Sequence, residues 1–244
     1  MRSEVFLFEP AKKRVAFHYL WTLFSPWSGI SALGALFAMI PGLNILVMGY
    51  ALSMTRRTFI SEDIILPPWH NLWHLFKEGL KVLAVMFAIS GILVGFSYLS
   101  GLLLPLLSQS TGTDLSSFVF LTTIISILLA ILAGYFMPAI MVLLSLKSFS
   151  GIKYKSIMEI AKSWRYAFTV IVNALFTLLL VTLFAGIRPL YGSAGVAITF
   201  PDFIAMAVFT WWMTITSFTL FGLSAARKQR ALIIEKILKK KGKI

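Results

Sequence analysis

PGLNILVMGYALSMTRRTFISEDIILPPWHNLWHLFKEGLK, residues 41–81, decides how the chain is organised. An apolar segment broken at Pro41-Gly42 runs into the cationic pair Arg56-Arg57 and then an acidic step at Glu62-Asp63. Leu66-Pro67-Pro68-Trp69 next leads an amphipathic helix into another apolar run. Cations, aromatics and prolines between two long apolar stretches describe a joint between membrane segments, lying flat on the lipid surface.

The rest of the chain supplies the membrane segments that such a joint needs. Of 244 residues, 59% are hydrophobic and 13% charged, with a mean hydropathy of +0.88. Soluble domains carry about a quarter charged residues, and one domain of this size has no core large enough to hide so much apolar surface from water. The expected fold is all-α: a polytopic transmembrane helix bundle of five to six membrane segments with interfacial amphipathic helices. The chain has no cysteine, which excludes disulfides, thiolate metal sites and a Cys nucleophile. The first residues, MRSEVFLFEPAKKRVAF, lack the pattern of a cleaved signal peptide and are expected to be retained. The net charge of +13 follows the membrane sides of the loops, so it points to anionic lipid headgroups and not to nucleic acid.

In chain order, residues 1–26 read as a basic, aromatic-rich interfacial helix around His18. Residues 27–54 are apolar but contain Pro41, which lacks an amide hydrogen and clashes with the preceding turn. Either this is one kinked span, or Pro41-Gly42 is the apex of a hairpin. Residues 82–106, 118–146, 166–187 and 203–226 read as further spans, joined by a cation-free turn at 108–114, a basic amphipathic loop at 147–165 and a Gly/Pro-rich turn at 188–202. Residues 1–226 form a single transmembrane domain on this reading, and 227–244 a basic tail.

Lys and Arg concentrate in residues 1–26, 55–81, 147–165 and 227–244. The positive-inside rule then makes the last three of these segments cytoplasmic, including the C-terminus. A hairpin at Pro41 keeps Lys12–Arg14 inside as well, whereas a single span does not. A repeat of span, basic helix and span at 27–107 and 118–187 argues for the single span. Charge bias has the firmer physical basis, and it favours a cytoplasmic N-terminus.

Gly49-Tyr50, Arg56-Arg57, Glu62-Asp63, Leu66-Pro67-x-Trp69 and Leu75-Phe76-x-x-Gly79-Leu80-Lys81, with Ser25-Pro26-Trp27 upstream, carry a resemblance. Together they are similar to the signature of domain of unknown function 4013, a family of prokaryotic integral membrane proteins. The specific similarity covers residues 25–87. It departs from the family pattern where Ser61 precedes Glu62 and His70-Asn71 follow Trp69. The resemblance implies a helical membrane protein and supplies no catalytic or ligand residues.

Candidate sites are weighed against structural readings. His70 and His74 have the i, i+4 spacing of a zinc pair, but Trp69 and Trp73 alternate with them, as in an interfacial helix. Lipid-headgroup contacts are expected at Arg56, Arg57, Trp69, Lys81, Lys153 and Lys155. Helix packing is expected at Gly91, Gly95, Ser126, Ala130 and Gly134, whose small side chains admit a neighbouring helix. The acids all read as loop, interface or tail residues, which leaves Asn44 and Asn173 as the polar residues inside spans. No nucleophile elbow, phosphate loop, HExxH or paired catalytic carboxylates occur. The expectation is a non-catalytic accessory or scaffold subunit of the prokaryotic cytoplasmic (inner) membrane. It needs no cofactor, and its partners are anionic lipids and either membrane-protein subunits or further copies of itself. The alternative is a transporter or channel component for lipid or a small solute.

Overall fold

A computed structural model describes residues 29–61, 64, 66–111, 115–146, 152–191, 200–225 and 227–240. Eight helices make up the described residues, with no strand among them: α1 (Gly29–Met39), α2 (Asn44–Ser61), α3 (Leu72–Thr111), α4 (Leu115–Leu146), α5 (Tyr154–Ala161), α6 (Trp164–Tyr191), α7 (Phe200–Leu223) and α8 (Arg227–Lys240). The fold is the expected all-α bundle. Four helical stretches are long and apolar enough to cross a membrane, namely Leu72–Leu106, Phe118–Leu146, Trp164–Leu183 and Asp202–Leu223. The shorter apolar Gly29–Met39 and the apolar part of α2 bring the apolar helices to six, but neither crosses alone by length and composition. The expected interfacial helix at 1–26, Glu62-Asp63, residues 112–114 of the turn expected at 108–114, 147–151 of the basic loop at 147–165, 192–199 of the turn expected at 188–202 and the tip at 241–244 lie outside the described residues.

The break at Pro41-Gly42 is a hairpin. Helix α1 stops at Met39, and Gly42 takes φ +90°, a left-handed conformation that only glycine adopts at little cost. The amides of Leu43 and Asn44 bond back to the Ile40 carbonyl at 3.1 and 3.3 Å, and α2 starts from that turn. Reversal of the chain is visible in the contacts. Trp69 bonds to the Ile30 carbonyl and stacks on Tyr50, two positions that a continuous helix would hold about 30 Å apart.

The contacts divide into two compact units, residues 1–82 with 138–244 and residues 83–137. In the first, α7 is the central helix, flanked by α1, α2 and α6. Helix α2 runs parallel to α7, with Tyr50 beside Trp211, Thr55 beside Phe218 and Thr58 beside Gly222. The first turns of α3 lie antiparallel on α2, pairing Gly49 with Leu75 and Ile45 with Gly79. Helix α6 is antiparallel to α7, since Arg165 at its start reaches Leu223 at the other's end. Ser163 caps α6 by accepting the Tyr166 amide at 3.1 Å. The buried Tyr166 hydroxyl accepts the Ala139 amide at 3.3 Å, one residue beyond the helix-interior Pro138. The second unit holds the rest of α3 and most of α4, with Phe87, Ile92, Val94, Phe120 and Ile131 exposed.

Residues 55–81 do not form a separate surface helix. Their first part completes α2, Leu66–Asn71 is non-helical, and residues from Leu72 onward already belong to α3. The Pro67-Pro68 pair holds this stretch extended, as its ring-fixed backbone requires. Asn71 ends it at φ 50°, a left-handed geometry Asn tolerates, and its Oδ1 accepts the His74 amide at 3.1 Å to cap α3.

Candidate site where the joint packs on the central helix

The joint is a packing device built from glycines and aromatic rings. A methyl group on Gly49 would overlap the Leu75 carbonyl, and one on Gly79 the Ile45 carbonyl, so α2 and α3 meet backbone to backbone. The same test at Gly34 meets the Trp211 ring, and at Gly222 the Thr58 hydroxyl. Close approach of this kind lets main chains pack and lets small hydroxyls bond across helices. Thr55 Oγ1 donates to the Phe218 carbonyl of α7 at 2.8 Å, while Thr58 Oγ1 donates within α2 to the Met54 carbonyl at 2.9 Å.

The extended strap at Leu66–Asn71 is pinned by two side chains that bond to main chain. The Tyr50 hydroxyl donates to the Pro67 carbonyl at 2.5 Å, and Trp69 Nε1 donates to the Ile30 carbonyl at 3.0 Å. Trp69 stacks on Tyr50 with centroids 4.4 Å apart, meets Phe37 edge-on at 5.1 Å, and lies 5.9 Å from Trp211. Trp211 is 0% exposed, and four elements therefore converge on one aromatic cluster. Leu66 is buried beside it in the strap.

The proposed headgroup residues fall into separate places. Trp69 belongs to this cluster, and its indole N–H already has an acceptor. Lys81 pairs with Glu78 at 2.5 Å on α3, near the hairpin-apex end of α2. Arg56 is exposed and Arg57 half-buried on α2, beside the Thr55 and Thr58 that face the end of α7. Lys153 and Lys155 are exposed at the start of α5. Gly49 and Tyr50 are taken up by packing against α3 and by the hydrogen bond to the Pro67 carbonyl.

The expected packing residues are all on the second unit. A methyl group on Gly91, Gly95 or Gly134 meets nothing within 4 Å, and Ala130 is exposed with Ser126 half-buried. The close-packed glycines are Gly34, Gly49, Gly79 and Gly222 instead. Gly49 and Gly79 were visible as signature residues, whereas Gly34 and Gly222, each with an alanine four positions on (Ala38 and Ala226), carry a small-residue spacing that the sequence reading did not single out.

The histidines do not pair on a helix. His70 precedes α3 and His74 lies within it, with the left-handed Asn71 between them. Among the described residues no group of three or more His, Cys, Asp or Glu could hold a metal ion. Asp202, read from sequence as a turn residue, lies buried in the first turn of α7, where a carboxylate complements the helix dipole. At the other end of that helix two guanidiniums take carbonyls, one on its last residue and one just beyond it. Arg165 Nε donates to Leu223 at 3.0 Å, and Arg230 Nε to Ala225 at 3.1 Å. The tail is thus a docked helix, with Arg230 and Ile233 buried. On its exposed side Lys239 lies 2.7 Å from Glu235, and their hydrogen bond holds the Glu235 carboxyl below its ordinary pKa and the Lys239 amine above its own.

A family model described as protein of unknown function (DUF4013) matches residues 32–190. The chain belongs to this family. The DUF4013 match begins within α1 and ends within α6, so it takes in the hairpin, the strap and the joint and extends well beyond residues 25–87. No curated protein and no solved structure matches the chain.

Proposed function

We propose that this DUF4013 protein is a non-catalytic accessory or scaffold subunit of the prokaryotic cytoplasmic membrane, packing against other membrane proteins or lipids. The supporting observation is a division among its glycines. Gly34, Gly49, Gly79 and Gly222 are filled by the chain's own atoms, whereas Gly91, Gly95 and Gly134 face open space in helices covered with exposed apolar side chains. Small residues on apolar helices are the surfaces through which membrane helices approach a neighbour. The residues of the joint act in packing and not in chemistry.

Native mass spectrometry of the protein, extracted gently from its own membrane, tests this reading. Partner subunits at fixed stoichiometry are the expected result, and Gly91→Leu with Gly134→Leu should remove them while leaving the fold intact. A lone protein that brings no partner subunit and carries a bound small solute contradicts it and supports transport. One observation favours that second reading. Asn173 Oδ1, Trp211 Nε1 and Thr216 Oγ1 are buried without a hydrogen-bond partner among the described residues, and polar groups inside a membrane bundle mark paths for water or solute.

A further inference from the structure

The elbow between α5 and α6 and the outer face of α6 together have the form of a phospholipid site. Helix α6 opens with Trp164, which is 81% exposed, followed one turn later by Phe168 and then Ile171, Leu175 and Leu178, all exposed. Their spacing of three and four residues puts them on a single face of the helix. The stripe starts at a cationic end. Arg165 is exposed, and its Nε bond to the Leu223 carbonyl fixes the guanidinium over the end of α7. That bond leaves both Nη groups on an exposed side chain, with exposed Lys162 three residues before it. Lys155 and Tyr154, the latter 74% exposed, stand at the start of α5.

An apolar stripe long enough for an acyl chain, with a fixed guanidinium, a lysine and an exposed tryptophan at one end, matches one kind of occupant, and Tyr154 and Lys155 add a ring and a cation at the far end of the short helix α5. We propose that this face binds an anionic diacyl phospholipid, its phosphate against Arg165 and Lys162 and its acyl chains along Phe168, Ile171 and Leu175. Arg presents a planar fork to phosphate oxygens, and exposed Trp and Tyr settle at headgroup level. Charge complementarity selects the anionic headgroup over a zwitterionic one. The Leu223 bond selects Arg165 over the freely moving lysines as the positioned contact. This inference shares with the scaffold reading only the membrane setting. Loss of partner subunits leaves it standing, and loss of lipid selectivity leaves the scaffold reading standing.

The test uses the full-length protein in mixed micelles containing phosphatidylglycerol or phosphatidylcholine at equal mole fraction, with retained lipid counted by native mass spectrometry. Phosphatidylglycerol should be retained preferentially, and Arg165→Gln should lower its retention roughly fivefold, the effect of one cation beside an anionic headgroup. Because Arg165 also caps α7, Lys155→Gln with Lys162→Gln serves as a second variant that leaves that cap in place, and it should reduce the preference in the same direction. Helical content by circular dichroism confirms that each variant is folded. Equal retention of the two lipids overturns the proposal, as does a preference unchanged in folded variants. Competition by glycerol phosphate as effective as that by the lipid also overturns it, because a free phosphate site needs no apolar stripe.

Discussion

At the scale of single residues, the joint depends on atoms that are absent. Gly49→Ala and Gly79→Ala each force a methyl group into a facing carbonyl, so each should destabilise the folded protein by roughly 1–3 kcal/mol, the usual range for overpacking. Thermal unfolding in detergent checks this, and wild-type midpoints would count against backbone contact between α2 and α3. Gly91→Ala is the control. Its methyl meets nothing, and a helical Gly→Ala change gains roughly 0.5–1 kcal/mol of propensity, so the same assay should show an equal or higher midpoint. Tyr50→Phe removes the donor to the Pro67 carbonyl and should cost about 1 kcal/mol, the net value of a typical hydrogen bond. The sequence marked Gly49, Tyr50, Trp69 and Gly79 as a pattern, yet it assigned the tryptophan to lipid and gave the two glycines no packing partner. Their true contacts are with residues far along the chain, such as Ile30 and Trp211, and local spacing carries no record of such contacts.

At the scale of elements, local rules read well wherever a helix must stop. Pro41-Gly42 forces a break, Pro67-Pro68 forces an extended segment, and both are present in the structure. The choice between kink and reversal was not legible locally, since proline permits either. Packing of Trp69 against Phe37 of one arm and Tyr50 of the other decides it. Gly42→Ala isolates the backbone term, because nothing lies within 4 Å of the added methyl while φ stays at +90°. The left-handed conformation should cost about 1–2 kcal/mol, seen as a lowered unfolding midpoint. An unchanged midpoint would mean that the turn relaxes without strain. The surface helix expected over the joint failed for a related reason. Its amphipathic pattern is real, but Leu75 and Gly79 turn that face onto α2, and a sequence pattern does not tell lipid from a neighbouring helix.

At the scale of the whole molecule, apolar content and charge distribution are enough to specify an all-α membrane bundle, because both follow from solvent and need no partner identities. Which small residues pack within the chain was hidden, since the spacings at Gly34 and Gly222 resemble those at Gly91 and Gly134 and only Trp211 and Thr58 show which are filled. Four crossings by the long apolar helices, added to the hairpin, predict that the two ends of the chain lie on one side of the membrane. Single cysteines introduced at residues 10 and 240, in a chain that has none of its own, should both be protected from a membrane-impermeant maleimide in intact cells. Labelling of residue 10 alone would place the two ends on opposite sides.

The reversal at Pro41-Gly42 underlies all of these statements, and one distance tests it directly. Spin labels at Leu33→Cys and Ser53→Cys in the purified protein report the separation of the hairpin arms by pulsed electron paramagnetic resonance. Antiparallel neighbours have axes about 8–10 Å apart, so with the label arms a distance below about 20 Å is expected. A continuous helix would place the two positions about 30 Å apart at 1.5 Å per residue, and a distribution centred there would contradict the hairpin and the aromatic strap that closes it.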